Sequence, residues 1–127
     1  MRMKFTLDGG RGAHYIAAYR EGAVRIGERE YAHSVILTAE LLLEWPVASA
    51  RELSLAQLDH ALQQQPEILV LGTGAEHVFP PLALQAALSR RGIGLEVMHT
   101  AAACRTYNVL LSEDRRVAAA LVIQPTG

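Results

Sequence analysis

Apolar and polar positions along this chain change rhythm near Pro46. Before it, short β-rich segments are separated by turn signals. Residues 14–19 (HYIAAY) and 24–26 (VRI) flank Arg20-Glu21-Gly22, which reads as a hairpin connection. Residues 31–38 contain Val35-Ile36-Leu37, a good strand core. Residues 39–45 (AELLLEW) fit either a strand or a short helical turn, and Pro46 ends them because proline disfavours helical geometry in the residue before it. Residues 8–12 (DGGRG) predict a flexible loop, since glycine tolerates positive φ at no steric cost.

After Pro46 helix and strand patterns alternate. Ser54 is positioned to cap a helix through about residue 64, with Leu55, Leu58 and Leu62 on one face. Residues 67–71 form a strand. Residues 81–91 form a helix, with Pro81 at its first position, Leu84 and Leu88 four apart, and Gly92 as its stop. A strand follows over 95–98, then a helix opened by Thr100 and running to about Ser112, and a last strand over 117–123. The later strands are apolar on both faces, as expected of a sheet covered on both sides. Right-handed crossovers place helices on each face. The pattern predicts an α/β fold: a three-layer α/β/α sandwich with an N-terminal β-hairpin extension, one domain over residues 1–127.

Composition narrows the function classes. The chain has 127 residues, half of them apolar, a formal charge of −1, one cysteine and five histidines. Its 12 lysines and arginines are scattered, so no basic patch points to nucleic acid. One cysteine cannot form an intrachain disulfide, which suits a reducing compartment. The N-terminus MRMKFTLDGG lacks an apolar signal core, and no stretch approaches the roughly 18 apolar residues that span a bilayer. The expectation is a soluble cytoplasmic protein, not membrane-spanning, with no nucleic-acid partner and no cofactor.

Two stretches carry candidate chemistry. In residues 71–81, LGTGAEHVFPP, a strand runs into Gly72, Thr73 and Gly74. The dinucleotide fingerprint fails, because His77 stands where a third glycine belongs and the helix waits until Pro81. The P-loop fails for want of Gly-Lys-Ser/Thr. The alternatives are a plain strand terminator or a ligand or partner pocket. The connection is longer than the usual two to six residues of a strand-to-helix loop, and it lies at the carboxyl end of a parallel strand.

The second stretch is residues 102–108, AACRTYN. Cys104, Arg105, Thr106, Tyr107 and Asn108 crowd the start of a helix, whose free backbone donors and partial positive charge suit an anion. Arg105 could clamp that anion, and Arg105 and Asn108, three apart, share a face. Arg105 could equally be solvated and Tyr107 core. Asn108 is unfavourable inside a helix, so a specific bond is expected of it. Cys104 beside Arg105 could have a lowered thiol pKa, with His77 or His99 as base, but a buried cysteine is the default. Histidine spacing offers no metal site, and no G-x-S-x-G elbow is present. No catalytic residue is assigned. The two stretches should meet as one cleft lined by Gly72, Thr73, Gly74, Thr100, Cys104, Arg105, Thr106, Tyr107 and Asn108.

Residues 67–74 (EILVLGTG), 79–81 (FPP), 92–108 (GIGLEVMHTAAACRTYN), 115–123 (RRVAAALVI) and 31–45 (YAHSVILTAELLLEW) together resemble one family over about residues 5–123. It includes the mitochondrial respiratory complex I assembly factor 3 and the adipogenesis-associated domain proteins. The resemblance implies a mixed central sheet, an N-terminal β extension, no established enzymatic activity and action through protein partners. Gly72, Gly74, Thr100, Ala103, Thr106, Tyr107 and Asn108 match its recurrent positions. His99 departs from it, where relatives often carry an acid. Without a targeting segment, the expectation is a bacterial-type cytoplasmic relative, which weighs against carrying the respiratory role over.

The function expected is a non-catalytic binding or assembly-factor-like module that holds a protein partner at this cleft. The alternative is a binder of, or enzyme on, a small anionic ligand or nucleotide at the same place. Self-association as a homo-oligomer is the third possibility.

Overall fold

The structure is a computed structural model and describes residues 13–124. The expected loop over residues 8–12 lies outside the described residues. Two sheets are present. A small antiparallel sheet has the order β1 (Ile16–Arg20), β2 (Ala23–Ile26), β3 (Arg29–Tyr31). The larger sheet joins β4 (Val35–Leu37), β5 (Leu42–Glu44), β6 (Ile68–Gly72), β7 (Gly94–Met98) and β8 (Val117–Leu121) in the order β5-β4-β8-β6-β7. β6 pairs in parallel with β7 and β8, whereas β4 pairs antiparallel with β5 and β8. The fold is therefore mixed α/β, with helices on both faces of the central sheet.

Side-chain alternation along the strands divides the core. Leu69, Leu71, Ala118, Ala120 and Ile36 meet Leu84 and Leu88 of α2 (Leu82–Arg90), together with Leu58 and Leu62. The residues between them, Val70, Ala119, Leu121, Val35 and Leu37, meet Ala103, Tyr107 and Leu111 of α3 (Thr100–Ser112) and Ile16, Val24 and Ile26 of the small sheet. Both faces are buried, which explains the near-continuous apolar runs of β6 and β8. Central β8 presents Ala118, Ala119 and Ala120, all fully buried, and α3 packs directly over β6 and β8.

Local expectations needed adjustment where tertiary partners intervene. The expected hairpin forms between β1 and β2, and β3 extends it to a three-stranded meander, because residues 31–38 are split between two sheets. Ser34 sits at the split, its buried hydroxyl donating to Val47 O at 2.7 Å and accepting from Ile123 N at 2.9 Å. The ambiguous 39–45 segment is a strand, turned back by Thr38, whose Oγ1 accepts from Glu40 N and Leu41 N. Trp45 fills the first core and donates its indole N–H to Gln57 O at 2.8 Å. The helix expected through residue 64 is a 3-10 turn, Leu55–Leu58, followed by the single turn α1, Asp59–Leu62. Ser54 is the N-cap of the 3-10 turn, and its amide donates to Gln57 Oε1 at 3.0 Å, one half of a capping box.

Candidate functional site

At the carboxyl end of β6 the chain must turn beneath the first turn of α3. A Cβ on Gly72 would lie 2.9 Å from Thr100 Oγ1, 3.0 Å from Ala103 Cβ and 3.0 Å from Leu121 Cδ2. Glycine is required there by helix packing. Gly74 has φ +106°, a backbone conformation that side-chain-bearing residues rarely adopt. A Cβ on it would meet Gln124 Oε1 at 3.1 Å.

The polar groups of the turn are engaged with one another. Thr73, 2 % exposed, donates its amide to Met98 O at 2.9 Å. Its hydroxyl donates to Glu76 O at 2.6 Å and accepts from Val78 N at 3.0 Å, folding the long connection over itself. Gly74 and Thr100 are paired reciprocally. Gly74 N donates to Thr100 Oγ1 at 2.8 Å, and Thr100 N donates to Gly74 O at 2.8 Å. The Thr100 hydroxyl then donates to Val122 O at 2.9 Å. One fully buried threonine thus ties together the ends of β6 and β8 and the start of α3. The amides of Thr73, Gly74 and Thr100 have internal acceptors, so they are not free donors for an anion.

The helix cap differs from expectation. His99, not Thr100, is the N-cap, with its Nδ1 accepting from Ala102 N at 3.2 Å. The neutral ring tautomer protonated on Nε2 makes that bond.

Further along α3 the candidates diverge around the helix. Cys104 is buried in the second core, and burial outweighs the neighbouring Arg105 charge, pushing its thiol up to about 12. At neutral pH it is protonated and a poor nucleophile. Arg105 is exposed. Thr106 donates its hydroxyl to Met98 Sδ at 3.3 Å. Tyr107 is fully buried and donates to His14 O at 2.7 Å, and burial raises its phenol above the ordinary range. Asn108 treats β1 as a neighbouring strand would: Ile16 N donates to its Oδ1 at 2.9 Å, and its Nδ2 donates to Ile16 O at 2.8 Å. That is the specific bond its mid-helix position called for. Tyr19, on the same small sheet, has a raised phenol pKa, first through burial and then through Cys104 and Glu21.

The structure therefore brings Gly72, Thr73, Gly74 and Thr100 into direct contact at one rim of the sheet. It turns Tyr107 and Asn108 toward β1 and leaves Arg105 exposed. Among the described residues, one recess of about 190 Å³ lies between Thr38, Glu40, Arg115 and Arg116, and another of about 390 Å³ beside Val47, Arg51 and Gln57. Among the described residues no group of three or more His, Cys, Asp or Glu could hold a metal ion. Sequence reasoning overlooked Phe79 and Leu82 near the rim, 78 % and 80 % exposed. Their signal was the apolar character of a stretch already singled out for its length.

A family model described as protein of unknown function (DUF498/DUF598) matches residues 16–122. An uncharacterised protein of Rhodobacter capsulatus is 40% identical over 114 residues, covering 90% of this chain and 88% of that one. NADH dehydrogenase [ubiquinone] 1 alpha subcomplex assembly factor 3 of Danio rerio is 42% identical over 88 residues. That match covers 68% of this chain but only 51% of the fish protein, so this chain spans about half of that relative. The 13 kDa major membrane protein of Francisella tularensis is 30% identical, covering 85% of this chain and 89% of that one. Among the described residues no helix is long and apolar enough to cross a membrane. Of solved structures, a Xanthomonas campestris protein is 39% identical, with a TM-score of 0.79 and 90% and 89% of the two chains covered. A Mth938-like domain from Bordetella pertussis is 25% identical, with a TM-score of 0.81 and 98% and 95% covered.

Proposed function

Because the chain belongs to the DUF498/DUF598 family of proteins of unknown function, we propose that it is a non-catalytic binding or assembly-factor-like module that holds a protein partner. The observation that carries this is the similarity to proteins named as assembly factors of the NADH dehydrogenase alpha subcomplex. The rim chemistry is consistent with it. Its turn amides are spent on the fold and its thiol is buried and protonated, which suits a shaped surface better than a reacting centre. The partner would meet the rim where the turn of Gly72, Thr73 and Gly74 joins the first turns of α3. Arg105 and His99 would be the exposed polar contacts, and Thr100, Cys104, Thr106, Tyr107 and Asn108 would hold the helix in place beneath them.

On this reading the chain is one domain working in the cytoplasm, attached from outside to a membrane-bound complex. Peripheral attachment would account for a relative named as a membrane protein.

A photo-crosslinking side chain at position 105, in the full chain expressed in its parent cell, tests the proposal. Crosslinks to a subunit of an NADH dehydrogenase assembly intermediate are expected, and none from a control position at Arg25 on β2. Crosslinks from Arg25 alone would move the contact off this rim. No crosslink from position 105, together with phosphate raising the melting temperature, would favour the anion reading; a hundredfold excess over Kd stabilises by about 2.7 kcal/mol.

A further inference from the structure

We propose that the outer face of α2 is a self-association surface, on which two copies of this chain meet antiparallel across a two-fold axis. This does not rest on the assembly-factor reading. The inner face of α2 is spent on the core, where Leu84 and Leu88 are buried. Its outer face carries Leu82, Ala83 and Ala86, all exposed, and Phe79 stands just before it, held edge-on by the His77 ring at a centroid distance of 4.6 Å. Leu82 at 80 % and Phe79 at 78 % exposure are the largest apolar losses to solvent in the described structure. Side chains three and four apart share a helix face, so Leu82, Ala83 and Ala86 form one stripe. The two alanines let another helix approach closely.

Charge identifies the occupant. Glu76 precedes the stripe, and Arg90 and Arg91 end it; all three are exposed. None has an ion-pair partner among the described residues, where the pairs are Arg20–Glu30 and Arg115–Glu67. One stripe with an acidic end and a basic end is complementary to itself only when reversed. An antiparallel copy sets Glu76 of each chain beside Arg90 and Arg91 of the other. It also sets the positive end of one helix dipole against the negative end of its mate. This is the isologous arrangement a two-fold axis demands. The adjacent open strand edge is less suited. Glu96 is exposed at the middle of β7, and a pairing centred there would oppose it to its own copy.

Two large side chains and two alanines per chain cover less than the ~800 Å² per partner of a stable interface, so the pairing is weak, with Kd on the order of 10–100 µM. Sedimentation velocity of the full chain, from about 5 to 500 µM, tests it. The average mass should rise from one chain toward two. Leu82→Glu should hold it at one, and Ala86→Arg serves as a second variant on the same face. Circular dichroism should show both variants folded, since neither position is buried. The double variant Arg90→Glu/Arg91→Glu should weaken association about tenfold, and mixing it with Glu76→Arg chains should restore pairing between the two kinds. A wild-type chain that stays monomeric throughout overturns the proposal, as does a dimer untouched by both Leu82→Glu and Ala86→Arg. Failure of the mixed pair to associate refutes the antiparallel arrangement.

Discussion

Replacing Gly72 by alanine asks whether this glycine serves a ligand or the packing of α3. The added methyl would sit 2.9 Å from Thr100 Oγ1, 3.0 Å from Ala103 Cβ and 3.0 Å from Leu121 Cδ2. Only the leucine end is a flexible tip; the threonine and alanine belong to the first turn of α3. Inserting a methylene into a packed site costs about 1–3 kcal/mol. If Thr100 moves, its bonds to Gly74 N and Val122 O weaken as well, at about 1 kcal/mol each. Against this, Gly→Ala stiffens the unfolded chain and returns about 0.4–1 kcal/mol. The net expectation is a loss of about 2 kcal/mol, or roughly 8 °C in melting temperature for a chain of this size. Urea unfolding of Gly72→Ala, Ala103→Gly and the double variant measures it. Ala103→Gly alone should cost about 1 kcal/mol as a helix substitution. Removing the methyl opposite should recover part of the Gly72→Ala loss, a favourable coupling of at least about 0.5 kcal/mol. A Gly72→Ala protein as stable as wild type would refute the packing account and return the glycine to the ligand hypothesis.

Asn108→Ala strands the amide and carbonyl of buried Ile16, and a loss of about 1–3 kcal/mol is expected by thermal unfolding, with faster amide exchange along β1; unchanged exchange at β1 would contradict the clamp. His99→Asp replaces a histidine cap by a better one that also suits the helix dipole, and should stabilise by about 0.5–1 kcal/mol in the same assay. The Cys104 thiol, pushed up by burial to about 12, should resist iodoacetamide at pH 8 in the folded chain and react promptly in denaturant. Its folded pKa is raised, so its contribution is full below pH 9 and is lost as pH rises from about 9 through about 12. Cys104→Ala should flatten that part of the alkaline stability profile.

Much of the architecture was legible because its causes are local. Four apolar residues in a row at Ile68-Leu69-Val70-Leu71, cut short by Gly72 and Gly74, fit a strand buried on both faces, and β6 is one. Pro81 and Gly92 bound α2 by their own backbone limits, although Pro81 is its cap rather than its first residue. What misled was again local evidence standing in for a tertiary decision. Residues 31–38 look like one strand, yet β3 pairs with β2 while β4 pairs with β5 and β8, and only competition between two sheets cuts them apart. Leu55, Leu58 and Leu62 fit a 3-10 turn followed by one α turn as well as a long helix, because spacing by three serves both.

At the rim the division is sharper. Sequence alone determined that two glycines end a buried strand, that a helix opens near Thr100, and that an asparagine inside that helix needs a bond. Backbone sterics and helix periodicity act over a few residues, so the residues themselves report them. Which polar groups would be left for a partner was decided only by the assembled layers. Thr100 finds Val122 at a separation of 22 residues and Gly74 at 26, whereas Asn108 and Tyr107 find β1 and its approach at 92 and 93. A hydrogen-bonding group cannot show in its own neighbourhood that a distant strand will satisfy it, since that partner exists only once the core has brought the layers together.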